Sequence, residues 1–337
     1  MEWKPYYDAE LRQPGTRDKI VDWLRAAGED DALSTMIGSG TVFSFPHTGI
    51  DYSGPIQTRV VAALYRAGIK RVIALGLIHG SLVPAYRVAM DESASQGERA
   101  DAFEHVSGAV LPAKRDLETP FGTHPVAAVT EPMPAEIRVD ADDLLQNEFS
   151  LDTFHSVLRL TADVFQVELL PILPLFIGMT RHPITGSFET AARLAHWLRE
   201  QWDDETAIVT TGDVVHYGAV YGSEHEGVSP VSLESRIHAR LEELFANAFE
   251  ERDLETAYQI SLHGLKSDQR EILPILSHLL GEAACAELLT FELSDYASIL
   301  DTDPPCLVAS ALIAYQNRNV VRLKNRNASR TKNSVSD

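Results

Sequence analysis

Two short apolar runs, Thr41–Phe45 and Lys70–Leu77, each give way to a histidine loop, Pro46-His47-Thr48-Gly49 after the first and Ile78-His79-Gly80 after the second. Between them Pro55–Ala67 carries a proline near its first turn, helical spacing of apolar residues, and Gly68 as a stop. This pattern is a β-α-β unit. It constrains the rest of the chain, because parallel strands need crossover helices and a sheet of such strands must be covered on both faces. The alternation continues. Val167–Ile177 reads as a strand despite its prolines, Glu189–Gln201 as an amphipathic helix and Ala207–Thr211 as a short buried strand. Arg17–Ala27 has the stripe of a surface helix, and Ile237, Leu241, Leu244, Phe245 and Phe249 predict a helix over 233–249. Ser267 can cap a further helix through Leu280, and two late strands fall around 287–293 and 306–315. The fold class expected is α/β, a mixed, mainly parallel central sheet with helices on both faces.

The chain has 337 residues and a formal net charge of -20, which argues against a nucleic-acid partner. A hydrophobic fraction of 45% supplies a substantial core, so residues 1–316 are expected to form a single domain. From Asn317 the charge reverses, with Arg318, Arg322, Lys324, Arg326, Arg330 and Lys332 among Asn and Ser, and 317–337 reads as a basic, disordered tail. Without aromatics this tail is a solvated segment rather than an RNA-binding arm. The two cysteines, Cys285 and Cys306, exclude a disulfide framework and a cysteine zinc finger. No export signal and no membrane span is read, so the expected location is the cytoplasm; self-association into a homodimer stays open.

Of twelve histidines, three follow strands, where an α/β fold gathers ligands, and a fourth lies at a turn between helical segments. His47 and His79 follow consecutive strands, and would face one crevice if those strands are neighbours. Asp213 and His216 lie just after the run 207–211, offering an acid and a base. His263, in Ser261-Leu-His-Gly264, sits at a sharp turn between helical segments. Three converging imidazoles would form a facial metal site. Any one of these alone is more often a satisfied loop residue; their joint placement carries the argument. His182 is a further residue of interest, and the other histidines read as surface or packing residues.

The string Pro46-His-Thr-Gly-Ile-Asp-Tyr-Ser-Gly54 resembles the PHAGYxYSG signature of the Memo family, whose fold is related to the class III extradiol ring-cleaving dioxygenases. Val72–His79 resembles the family's VVILGPSH, Thr119–Gly122 its TPLG, Glu148–Asp152 its EHSLE, and Asp213–Gly218 its DLSHYG, while Leu262-His-Gly264 stands where the family has Cys-Gly. The resemblance runs from about residue 40 to 315. It implies metal ligands at His47, His79 and His263, and an acid-base histidine at His216. Departures are Phe149 for a family His, and Ile78 and Gly80 beside His79 in place of Ser and His.

A three-imidazole site would leave a divalent ion near its full charge and suit anionic substrates. The function expected is a non-haem iron(II)-dependent oxygenase or oxidase acting, with dioxygen, on a small anionic metabolite, with zinc or copper as alternative metals. His216 would move protons, and Asp213 would orient it. Alternatively Asp213 or Glu148 completes the ligand set and His263 supports it. Tyr52 and Tyr217 could donate to an oxyanion, and Arg115 and Arg181 could clamp a carboxylate. The competing readings are a zinc-dependent hydrolase and a non-catalytic metal-binding interaction protein.

Overall fold

A computed structural model describes residues 3–28, 31–80, 83–113, 116–139, 142–223 and 230–319. Ten strands are present among them: β1 Val42–Phe45, β2 Arg71–Leu77, β3 Ala109–Val110, β4 Asp116–Thr119, β5 Gly122–Pro125, β6 Ile172–Ile177, β7 Thr206–Thr211, β8 Val215–Gly218, β9 Ala284–Asp295 and β10 Cys306–Asn317. The central sheet runs β3-β6-β2-β7-β1-β10-β8, with β9 also on β10, while β4 and β5 form a separate pair. β6, β2, β7 and β1 are mutually parallel; β3, β10, β8 and β9 join antiparallel. The protein is therefore α/β, with a mixed sheet flanked by helices.

Strand residues alternate between two cores, as a period of two demands. Val72, Ala74, Phe43 and Val209 pack with Leu64, Phe154 and Leu158 on one side. Ile73, Leu75, Val42 and Ile208 pack with Leu194, Leu241 and Leu276 on the other. Burial on both faces explains why β1, β6 and β7 read as continuous apolar runs rather than alternating ones.

Four expectations need adjustment. β1 and β2 are not neighbours, because β7 lies between them; the intervening helix spans a gap that a third parallel strand fills. That helix is Ile50–Arg66 and begins before Pro55. Its first backbone N–H, at Ile50, donates to Glu10 Oε2 at 2.8 Å, a cap supplied by another helix, and the bond forfeited at Pro55 falls on the carbonyl of exposed Asp51. In the stretch 167–177, only Ile172–Ile177 is strand. β10 extends to Asn317, whose Nδ2 donates to the Leu280 carbonyl, so the start of the expected tail is tied to the body; 320–337 lies outside the described residues. Among the described residues no helix is long and apolar enough to cross a membrane.

Candidate metal centre

The parallel order β2-β7-β1 puts three strand ends on one sheet edge, and from these ends come His79, Asp213 and His47. β10 adds the fourth group. One edge of β10 pairs with β1 through Ile313–Tyr315 and then with β8 through Cys306–Ala309, so His216 on β8 takes over the edge where the His47 loop departs. The loop joining β7 to β8 depends on Gly212. Its φ is +153°, and a Cβ there would lie 2.7 Å from Nε2 of Gln269, which donates to the Gly212 carbonyl and to Ser44 Oγ.

The structure draws His47, His79, Asp213 and His216 together, and adds Asp268. Ligand atoms of His47, His79 and Asp268 lie within 4.8 Å of one another, as do those of Asp213, His216 and Asp268. His47 Nε2 is 3.4 Å from Asp268 Oδ2 and 3.9 Å from Asp213 Oδ2. His216 Nε2 is 3.9 Å from Asp213 Oδ2 and 4.0 Å from Asp268 Oδ2. Most of these separations are long for hydrogen bonds. The shortest is close to the spacing of about 3 to 3.4 Å that two ligands keep around one ion when each bond is about 2.1 Å.

The orientation of the rings is fixed from behind. His47 Nδ1 lies 3.2 Å from Thr211 Oγ1, and that hydroxyl spends its own proton on the Phe45 carbonyl, so the imidazole donates from Nδ1. His79 Nδ1 lies 3.0 Å from Glu148 Oε1. His216 Nδ1 donates to the Lys266 carbonyl at 2.7 Å. With each Nδ1 committed as donor, each neutral ring turns an Nε2 lone pair inward, the arrangement expected of metal-ligating histidine. The donor set fits a divalent cation of the first transition row.

The charged groups of the cluster shift one another's protonation. Burial would lower the pKa of His47, but Asp213, Asp268 and Glu148 push it up to about 9, so in the absence of a cation a proton occupies the same lone pair. Burial would raise both aspartates; His216 and His47 hold Asp268 well below the usual carboxylate range, whereas Asp213 stays raised with the Asp268 charge against it. Glu148 is held down to about 2, because His79 and the N–H groups of His79 and Ser150 outweigh its burial. The N–H of Phe149 also donates to it, and the Phe149 ring stacks on His79 at 4.3 Å.

His263 is not drawn into the cluster. It lies exposed on a π-helical turn, Ile260–Leu265, and lines a neighbouring cavity; Asp268, five residues on, supplies a carboxylate in place of the expected third imidazole. The cause is local. The chain reverses at Lys266 with φ 53°, and Ser267 N bonds back to the Ser261 carbonyl. This sends 261–265 outward, while Asp268 N donates to the Asp213 carbonyl at 3.0 Å and is pinned at the sheet edge. Asp268 carried no distinguishing signal, because an acidic residue directly after an N-cap serine is ordinary dipole chemistry. The Tyr52 ring packs on Tyr296 at 4.8 Å. Arg181 is committed to Glu255 through contacts of 2.6 and 2.8 Å. His182 accepts from the N–H groups of Ile184 and Thr185 through Nδ1, and packs on Phe103. Arg115 lies outside the described residues.

No family model matches this chain, and no curated protein matches it closely enough to count as a relative.

Proposed function

We propose that this chain is a non-haem iron(II)-dependent oxygenase or oxidase, with a Memo-like fold of the class III extradiol dioxygenase kind, acting on a small anionic metabolite. One observation carries the reading. His47, His79 and Asp268 form a set of two imidazoles and one carboxylate, both imidazoles turning Nε2 inward, and that set suits iron(II) with positions left open for substrate and dioxygen. With a carboxylate in the set, the ion keeps a lower net charge than three imidazoles would leave it. Iron(II) held there would supply the electron chemistry by which dioxygen reacts with an organic molecule.

The protein's own groups do the rest. His216, tethered at Nδ1 to the Lys266 carbonyl, can accept a substrate proton at Nε2 and return it. Asp213, 3.9 Å from that nitrogen and raised in pKa, can share the proton. Glu148 holds the His79 ring in orientation, and Phe149 and Tyr221, against His79 and His216, exclude water.

The test is metal analysis of anaerobically prepared protein titrated with iron(II), followed by oxygen-uptake assays with small-molecule extracts. About one iron per chain is expected. His47→Ala and Asp268→Ala should lose it, and His263→Ala should keep it. His216→Ala should hold iron yet lose oxygen uptake. Retention of iron in Asp268→Ala with loss in His263→Ala, or turnover under nitrogen with zinc alone, would overturn the proposal.

A further inference from the structure

A chain of net charge -20 gathers cations in one place. A cavity of about 400 Å³ is lined by Arg87, His263, Lys266 and Arg270, with no carboxylate lining it among the described residues. Its remaining walls include the apolar side chains of Met90 and Leu262. The volume falls within the range of small-molecule sites. Three of its lining residues adjoin the metal centre. Gly80 directly follows His79, the Lys266 carbonyl anchors His216, and Arg270 stands two residues beyond Asp268. At Gly80 a Cβ would come 2.4 Å from the Tyr86 ring, so the cavity wall packs directly on the backbone next to His79.

Arg270 is held loosely for a partly buried guanidinium. Nε and Nη2 reach Tyr86 Oη at 3.4 and 3.3 Å, and Nη1 reaches the Ser267 carbonyl at 3.3 Å. Glu271, the nearest acid, is 3.7 Å away. Its oxygens are already taken by donors from Tyr86 at 2.7 Å, Tyr258 at 3.0 Å, and the N–H and hydroxyl of Thr180 at 2.8 and 2.9 Å. Two guanidinium N–H groups are left without an acceptor among the described residues, and the Lys266 ammonium has no carboxylate partner there. A planar guanidinium fork beside an ammonium matches a carboxylate, and the apolar walls require an organic body behind it.

We infer that this cavity binds the carboxylate end of a small amphipathic acid, held by Arg270 and Lys266 with its apolar body against Met90 and Leu262, and that such acids are the substrate class of the metal centre. The second half of that statement rests on the function proposed above. His263 then contributes to this anion site rather than to the metal.

Metal-free protein titrated with hexanoate and hexanamide, by calorimetry, tests the cavity apart from the metal. Hexanoate should bind and hexanamide should not. Lys266→Gln should weaken hexanoate about tenfold, as loss of one charge-assisted bond implies. Arg270→Gln should do the same or more, and Arg87→Gln, on the exposed rim, gives a milder variant if Arg270→Gln does not fold. Equal binding of the amide, hexanoate affinity indifferent to Lys266→Gln and Arg87→Gln, or tighter binding of inorganic phosphate than of hexanoate would overturn the inference. Hexanoate binding in a protein that takes up no iron would instead sink the oxygenase reading and leave the anion site standing.

Discussion

At the scale of residues, the candidate metal centre is built less by its inward-facing nitrogens than by what holds their far sides. Glu148 accepts from His79 Nδ1 and from three backbone N–H groups, at 2.8 to 3.0 Å. Glu148→Gln keeps the shape but removes the charge that fixes the tautomer and strengthens the ligand. Iron affinity should fall about 10- to 100-fold, measured by competition with a chelator. Urea unfolding at pH 7 should show lost stability as well, because the amide turns an NH2 toward N–H donors that the carboxylate oxygens accept from. An affinity equal to wild type would mean that the ring is oriented by Phe149 alone. His47, His79 and Asp213 were legible in the sequence because each follows an apolar strand closely and parallel strand ends share one edge, and His216 because it comes three residues after Asp213, on β8. Asp268 and the π-helical detour that removes His263 were not, since they depend on hydrogen bonds between segments more than fifty residues apart, from Asp268 N and Ser267 Oγ to the Asp213 carbonyl.

Elements whose signals are local were read closely. Glu189–Gln201 ends where its stripe ends, and Ser267 Oγ accepts from Gln269 N as an N-cap should. Elements that lean on distant partners were misread. The helix Ile50–Arg66 starts early because Glu10 caps it, and that same carboxylate therefore sets where the His47 loop must stop. Glu10→Ala should cost about 1 to 2 kcal/mol in urea unfolding, as loss of an N-cap does. It should also weaken iron binding, since the 46–49 loop loses its fixed end, whereas Glu10→Gln, which keeps an acceptor oxygen, should recover most of both. Loss of stability without any change in iron affinity would separate the cap from the site.

The whole molecule is a sheet between two cores, and polar groups sunk in those cores set its response to acid. His155, on the helix Asp152–Phe165, is 3% exposed, and its Nε2 has no hydrogen-bond partner among the described residues. Burial, with His124 and Lys4 nearby, pushes its pKa down from 6.5 to about 3. The folded state thus excludes a proton that the unfolded chain binds below about pH 6.5. Above that pH the group costs nothing; as pH falls from 6.5 toward 3, stability is lost by up to about 1.4 kcal/mol per pH unit. By pH 5 the loss from this residue reaches about 2 kcal/mol. Other titrating groups contribute their own slopes, so the difference between wild type and His155→Leu isolates it. The variant should match or exceed wild type at pH 7.5, because an unpaired buried nitrogen is removed, and the gap in its favour should widen by about 2 kcal/mol between pH 7.5 and 5. Parallel urea-unfolding curves for the two proteins across that range would show that His155 gains its proton as readily in the folded chain as in the unfolded one.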